Sequence, residues 1–115
     1  MIHVYGIKNC NTMKKAFTWL EENDIQYHFH DYKKEPVSRE KLQEWENKIS
    51  WELLVNKKGT TWRKLSPEQQ ASVRDATSAN DILLFNNSMI KRPVIEYPKG
   101  ILLGFDEQEY SKTLR

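Results

Sequence analysis

The amino-acid sequence predicts an α/β fold, a thioredoxin-like arrangement in which a four-stranded mixed sheet is interrupted by an inserted helical segment. Residues 1–35 change from strand spacing to helix spacing and back, which is typical of a βαβ unit. Residues 91–115 contain two short apolar runs around a Pro-Lys-Gly turn and then a helical pattern, which indicates a ββα unit. The residues between these two halves show helical spacing alone.

The βαβ unit is predicted from three consecutive segments. Ile2–Tyr5 is rich in residues that favour strands, and the pattern stops at Gly6. From Thr12, apolar side chains recur every three or four positions until Asn23, which predicts the first helix. Ile25–Tyr32 then alternates between apolar and polar side chains, which predicts a second strand. Because such crossovers are right-handed, the two strands should be parallel.

The middle of the chain, residues 36–90, predicts helices and loops. The expected features, in chain order, are a helix of about twelve residues that follows Ser38, a short apolar turn at Trp51–Val55, a loop around Gly59, a helix start at Ser66 and Pro67, and a helix from about Ser78. Ser66 is a favoured N-cap, and a proline at the first helical position sacrifices no hydrogen bond. This middle part is therefore expected to be a helical insertion.

The end of the chain returns to strand patterns. Pro93–Tyr97 and Ile101–Phe105 flank the turn at residues 98–100, which predicts a hairpin, and Asp106 is in place to cap a last amphipathic helix. The complete order is that of a thioredoxin-like core interrupted once. We expect a single domain, residues 1–115, with the core in residues 1–35 and 91–115 and the insertion in residues 36–90.

Composition and charge exclude several classes of protein. The chain has 18 Lys and Arg against 16 Asp and Glu residues, a net charge of +2, and one cysteine. So small an excess does not indicate direct nucleic-acid binding, which needs clustered cations. The apolar runs are far shorter than the roughly 18 residues of a membrane span, and no signal-peptide pattern is present. Since one thiol cannot form an internal disulfide, we expect a cytoplasmic protein without a membrane segment.

Cys10 is the candidate nucleophile. It lies between the first strand and the first helix, where unpaired amides and the helix dipole favour an anion. Lys8 adds positive charge, and the first-turn residues Asn11 and Thr12 are in place to hold an oxyanion. These surroundings stabilise the thiolate relative to the thiol. A dithiol oxidoreductase would carry its second cysteine at Met13, so a redox cycle at this site needs an external thiol.

Arg92 and Pro93 open the third predicted strand. In this topology the start of that strand lies beside the Cys10 loop, so the guanidinium can pair with a thiolate, a carboxylate or an oxyanion. The bond before Pro93 is a candidate for the cis form. For both residues an ordinary strand edge is the alternative. A basic patch around the Gly59 loop supplies further candidates for anion binding, namely Lys57, Lys58 and Arg63, with a solvated loop as the alternative.

The three histidines raise the question of a metal. His28 and His30 share one face of the second strand and His3 lies on the neighbouring strand, so their rings can approach one another. No carboxylate or cysteine stands near them at zinc-ligand spacing, and surface histidines are the preferred interpretation. No bound metal or cofactor is therefore expected.

Three segments carry a family resemblance: residues 5–16 around Cys10, the Gly-Thr-Thr-Trp-Arg-Lys-Leu run at residues 59–65, and Lys-Arg-Pro-Val at residues 91–94. Together they resemble the arsenate-reductase-related family, which includes ArsC, Spx and YffB branches, and in particular the YffB-type branch. The resemblance spans nearly the whole chain. It implies a thioredoxin-like core with a helical insertion, a nucleophilic Cys10, an Arg92 that helps to bind the anionic group, and glutathione as the external thiol.

The resemblance also orders the possible functions. Arsenate reductases of this family surround their cysteine with three arginines, of which Arg92 alone is matched; lysines stand near residues 55–58 and no cation stands near residues 102–104. We therefore predict a monomeric glutathione-dependent thiol reductase that acts on a disulfide or a small oxyanion, with glutathione or a glutaredoxin as its partner. Two alternatives stay open: a glutaredoxin-coupled arsenate reductase, and a non-enzymatic Spx-like protein that binds a transcription partner.

Overall fold

A computed structural model describes residues 1–115 and shows a four-stranded sheet in the order β2-β1-β3-β4. Residues 1–35 and 92–115 form one unit, here called the sheet unit, and residues 36–91 form a second, the helical unit. The sheet unit contains β1 (Ile2–Gly6), α1 (Asn11–Glu22), β2 (Tyr27–Asp31), β3 (Val94–Tyr97), β4 (Gly100–Leu103) and α7 (Glu107–Leu114). The helical unit contains α2 (Arg39–Glu46), α3 (Trp51–Leu54), α4 (Thr60–Arg63), α5 (Pro67–Ala71), α6 (Ala76–Phe85) and a 3₁₀ turn at Asn87–Met89.

The strand directions confirm the mixed sheet. β1 and β2 are parallel, with Val4 opposite Phe29, whereas β1 pairs with β3 and β3 pairs with β4 in the antiparallel sense. The parallel pair follows from the α1 crossover, and the antiparallel pair β3–β4 is the hairpin expected from the Pro-Lys-Gly turn. The predicted α/β class with a four-stranded mixed sheet is therefore correct.

The core of the sheet unit lies between one face of the sheet and the helices α1 and α7. Its buried members come from three strands and the two helices: Val4, Met13, Ala16, Trp19, Leu20, Ile95, Leu102 and Tyr110. Trp19 and Tyr110 meet edge to face, with ring centroids 5.4 Å apart, a geometry that aromatic pairs prefer. The apolar stripe predicted for α1 is thus the stripe that is buried.

Gly6 is the last residue of β1 and packs against Met13 in the first turn of α1. A Cβ atom at this position would lie 2.5 Å from the Met13 sulfur, so no other residue fits without displacing that side chain. Met13 itself is completely buried. The glycine therefore lets α1 pack closely against the end of the strand, and this contact limits where the Cys10 loop can lie.

Side-chain N-caps stand at the start of most helices of the helical unit. Ser38, Ser50, Ser66 and Asp75 each accept a hydrogen bond at the N-terminus of a helix through their side-chain oxygen, and the caps at Ser66 and Asp75 are reciprocal capping boxes. Such caps satisfy amides that short helices cannot pair internally. Behind the caps, apolar side chains such as Leu42, Trp45 and Leu83 are buried.

Four details of the insertion differ from the expectations. The helix after Ser38 has 8 residues, because it ends at Glu46. The apolar turn predicted at residues 51–55 is a short helix, and the loop predicted around Gly59 continues into α4, with Gly59 as its N-cap residue. The helix expected from about Ser78 starts at Ala76, since Asp75 supplies the cap and the Ser78 side chain completes the box. None of the helices combines the length and apolar character required to cross a membrane.

Candidate functional site

Cys10 is the N-cap residue of α1. Its backbone is extended, and its carbonyl accepts the first helical hydrogen bond, from the Lys14 amide at 3.0 Å. The side chain is partly exposed, makes no capping hydrogen bond, and packs at the margin of the sheet-unit core. The sulfur thus stands at the place where a helix presents its unpaired amides.

The first turn of α1 differs from that of the other helix of the sheet unit. Its residues Asn11, Thr12 and Met13 include no acidic side chain, and no side chain caps their amides. At the start of α7, by contrast, Asp106 accepts a hydrogen bond from the Glu109 amide at 3.1 Å. The α1 start therefore keeps free amide donors and an uncompensated positive dipole end, which favours an anion there.

Arg92 lies at the same end of the sheet. The pairing of β1 with β3 ends at Tyr5 and Val94, so Arg92, two residues before Val94, lies at the end of the sheet from which the Cys10 loop leaves β1. The bond between Arg92 and Pro93 is cis, as anticipated. Arg92 is half-buried and belongs to none of the ion pairs, so its charge is available to an incoming anion.

The remaining predicted anion-binding residues fall into two groups. Lys8, Asn11 and Thr12 lie with Cys10 in the sheet unit, in the loop or in the first turn of α1, and Pro93 is buried beside Arg92. Lys57, Lys58 and Arg63 belong to the helical unit, where the Lys57 ammonium lies 5.4 Å from the centre of the Trp62 ring. The first group thus shares one unit with Cys10, and the roles of all these residues stay predictions.

Tyr32 is a residue of this end of the sheet that the sequence patterns did not single out. It follows β2 directly, and its amide donates to the Gly6 carbonyl at 2.9 Å. The side chain is only 4% exposed, yet its hydroxyl has no hydrogen-bond partner. Burial raises the pKa of the Tyr32 phenol well above its usual value; Tyr5 and the charge of Glu96 act in the same direction, and Arg92 opposes them. The only sequence signal was its place at the end of the alternating segment.

The histidines approach one another on the sheet face opposite α1, as their strand positions indicated. His3 Nδ1 and His30 Nε2 are 2.9 Å apart, and His30 Nδ1 lies 3.6 Å from a Glu35 carboxylate oxygen. Because a ring-to-ring hydrogen bond needs one nitrogen without a proton, His3 and His30 cannot both be fully protonated in this arrangement. Burial lowers the pKa of His30, although the hydrogen bond to Glu35 opposes the effect. His28 is exposed, and His3 and His30 are partly exposed.

Comparison with known proteins assigns the chain to a family. The sequence profile of the ArsC family matches residues 5–113, so the chain belongs to the ArsC family. An uncharacterised protein of Haemophilus influenzae is 44% identical over 110 residues, which cover 96% of each chain. The solved structure of a YffB protein superimposes with a TM-score of 0.94 at 43% identity and covers both chains completely.

Two further relatives show the breadth of the family. The structure of an arsenate reductase (ArsC) related protein from Brucella melitensis matches with a TM-score of 0.77 and 45% identity, over 99% of this chain and 94% of that chain. The global transcriptional regulator Spx of Listeria innocua is more distant, with 24% identity over 116 residues, 99% of this chain and 87% of Spx. The relationship to the ArsC, YffB and Spx proteins that the sequence motifs indicated is therefore confirmed.

Proposed function

We propose that the protein is a glutathione-dependent thiol reductase in which the Cys10 thiolate is the nucleophile. One observation carries the proposal: the only thiol of the chain is the N-cap residue of a helix whose first turn has neither a capping side chain nor an acidic residue. The free amides and the helix dipole stabilise a thiolate at this position. Arg92, at the same end of the sheet, supplies a cation for a carboxylate or an oxyanion of the substrate.

The chemistry requires two thiol–disulfide exchanges. In the first, the Cys10 thiolate attacks the glutathione sulfur of a mixed disulfide; a new S–S bond joins Cys10 to glutathione, and the substrate leaves as a thiolate. In the second, the thiolate of another glutathione attacks the bound glutathione sulfur, which releases glutathione disulfide and restores the Cys10 thiolate. The net change is an exchange: the substrate sulfur leaves the mixed disulfide reduced to a thiolate, and the incoming glutathione sulfur takes its place, oxidised, in glutathione disulfide. An external thiol is necessary because Cys10 has no second cysteine in the chain.

Turnover of a glutathionylated peptide with reduced glutathione tests this reaction. We expect the protein to accelerate release of the peptide thiol and the Cys10→Ser variant to lose the acceleration by at least about a hundredfold, because a hydroxyl does not replace a thiolate nucleophile. Unfolding of both proteins should be compared, so that loss of activity is separated from loss of fold. No acceleration by the parent protein, or equal acceleration by the variant, would refute the reductase.

Arg92 offers a second test, of substrate binding. Removing a charged hydrogen-bond donor costs about 1.5–3 kcal/mol, so Arg92→Ala should raise KM roughly tenfold or more and change kcat less. Arg92→Lys keeps the charge but lacks the planar guanidinium, so its KM should lie between those of the parent protein and Arg92→Ala. Arg74→Ala, which removes an exposed arginine of the helical unit, is the matched control. Equal kinetics for Arg92→Ala and Arg74→Ala would remove Arg92 from the site.

The likeness to Spx over nearly the full chain supports a different candidate, a protein that docks on a transcription partner without catalysis. Such a protein should keep its partner when Cys10 is replaced by serine and lose it when the charges of Arg63 and Lys64 are reversed. A third assay distinguishes an arsenate reductase from the thiol reductase. An arsenate reductase should turn over arsenate with glutathione and glutaredoxin, and the Cys10→Ser variant should lose this activity. Activity on the mixed disulfide without activity on arsenate favours the thiol reductase.

A further inference from the structure

Tyr32 and Arg92 flank the root of the Cys10 loop. The parallel register places Gly6 opposite Asp31, the last residue of β2, and the next residue, Tyr32, donates its amide to the Gly6 carbonyl at 2.9 Å. On the other side of β1, Tyr5 is opposite Val94, and Arg92 stands two residues before Val94. The two residues thus adjoin the two strands that border β1, at the end of the sheet from which the Cys10 loop leaves.

The Tyr32 hydroxyl is unusual among the buried tyrosines of the sheet unit. Tyr110 is equally buried, but its hydroxyl donates to the Gly104 carbonyl. The Tyr32 hydroxyl is shielded from water and has no partner at all. A buried hydroxyl without a hydrogen bond is unfavourable, and native proteins keep few of them. An acceptor supplied by a bound ligand would satisfy this hydroxyl.

The protonation state of Tyr32 limits what that group can be. Since the ordinary pKa of a phenol is about 10 and burial raises that of Tyr32 further, the phenol keeps its proton and is available as a donor. The charge of Arg92 acts on the phenol more strongly than that of the Glu96 carboxylate, and no ion pair fixes the Arg92 guanidinium. A neutral donor beside an unpaired cation suits a carboxylate or an oxyanion, which can accept from both.

We infer that Tyr32 is a binding residue of the Cys10 site, whose hydroxyl donates to the same anionic group of the substrate that pairs with Arg92. The inference rests on the proposed function, because glutathione carries carboxylates that meet this description. The guanidinium shifts toward the arriving anion, and the anion then reaches the hydroxyl that the free protein leaves unpaired. Tyr32 takes no part in the sulfur chemistry; it contributes to affinity and to the orientation of the ligand.

Tyr32→Phe provides a test in which stability and affinity change in opposite senses. The probes are S-methylglutathione, which has the carboxylates but no thiol, and inorganic sulfate, and their dissociation constants are measured by NMR titration. We expect Tyr32→Phe to bind S-methylglutathione about tenfold more weakly, because a hydrogen bond to a charged group is lost. Its melting temperature should stay the same or rise, since an unpaired buried hydroxyl is removed.

Tyr110→Phe is the matched control. It removes a hydroxyl that has a partner, so its melting temperature should fall while its affinity for both probes stays that of the parent protein. Arg92→Ala should weaken both probes. Unchanged affinity in Tyr32→Phe, or a joint loss of stability and affinity, overturns the inference and leaves the reductase standing. If the parent protein binds neither probe, both proposals fail.

Discussion

The sheet unit and the helical unit are stabilised in different ways. The sheet unit has two helices of 12 and 8 residues on a continuous sheet, and its buried cluster consists of apolar and aromatic side chains. The helical unit is assembled from helices of 4 to 10 residues, with side-chain caps at most of their starts and a buried polar residue, Asn80, in its interior. Both units bury apolar side chains, but the short helices of the helical unit depend in addition on hydrogen bonds at their ends, where amides would otherwise stay unpaired.

This comparison predicts that the largest loss of stability follows from a core truncation in the sheet unit. Leu20 is completely buried in the cluster, and Leu20→Ala should lower the free energy of unfolding by about 2–5 kcal/mol through lost burial and the cavity left behind. Leu53, which is 53% exposed on α3, is the control, and Leu53→Ala should change stability by less than about 0.5 kcal/mol. Urea unfolding measures both, and similar losses would contradict the role given to the cluster.

A smaller loss is expected when a cap of the helical unit is removed. The Ser66 hydroxyl accepts from the Gln69 amide at 3.1 Å, and the Gln69 side chain accepts from the Ser66 amide at 2.9 Å. Ser66→Ala should cost about 1 kcal/mol, and Ser66→Asp, which keeps an acceptor, should recover most of it. Faster hydrogen exchange at the amides of α5 would locate the effect. Equal stability of the alanine and aspartate variants would show that the cap contributes little.

The smallest expected effect is a gain in stability that depends on pH and follows from replacing Glu46. Glu46 accepts a hydrogen bond from the Asn80 side-chain nitrogen at 3.0 Å, but its second carboxylate oxygen and the Asn80 carbonyl oxygen are buried without partners. Burial raises the pKa of Glu46, although the hydrogen bond from Asn80 and the charge of Arg39 oppose this. The folded state therefore holds the Glu46 proton more tightly than the unfolded state, so its contribution to stability declines as pH rises above the unfolded value of 4.5.

Glu46→Gln removes this titration. The variant should match the parent protein near pH 4.5 and exceed it at pH 7.5, by less than about 1 kcal/mol because water screens a partly exposed carboxylate. Thermal unfolding at the two pH values measures the difference. A variant that is less stable at pH 7.5 would mean that the carboxylate is stabilising in its charged form. Glu44→Gln, on an exposed side chain of the same helix, is the control.

The contrast between the units also explains what the sequence could predict. Strand alternation in Ile25–Tyr32 and the apolar stripe of α1 report burial on one face, so the sheet and its helices were predictable from periodicity. The short helices α3 and α4 are too brief to show a period, and they were predicted as a turn and a loop. Capping residues carried more information there: Ser66 located the start of α5, and Asp75 would have corrected the start of α6.

The candidate site was predictable only in part. The place of Cys10 and of Arg92 follows from the order of strands and helices, and the register brings both to one end of the sheet. Tyr32 was not predictable as a site residue, because a missing hydrogen-bond partner is a property of the folded environment that no local pattern of residues records. The approach of His3 and His30 was predictable from their strand positions, whereas the hydrogen bond between their rings was not.

The packing of Met13 against Gly6 has a kinetic consequence. Met13 stands where a dithiol oxidoreductase carries its second cysteine, and its thioether is buried against the end of β1. Under the proposed chemistry, oxidised Cys10 therefore cannot be reduced by another group of the same chain. The second half-reaction is therefore first order in the thiol dissolved around the protein, and the fraction of protein resting in the oxidised form responds directly to the concentration of that thiol.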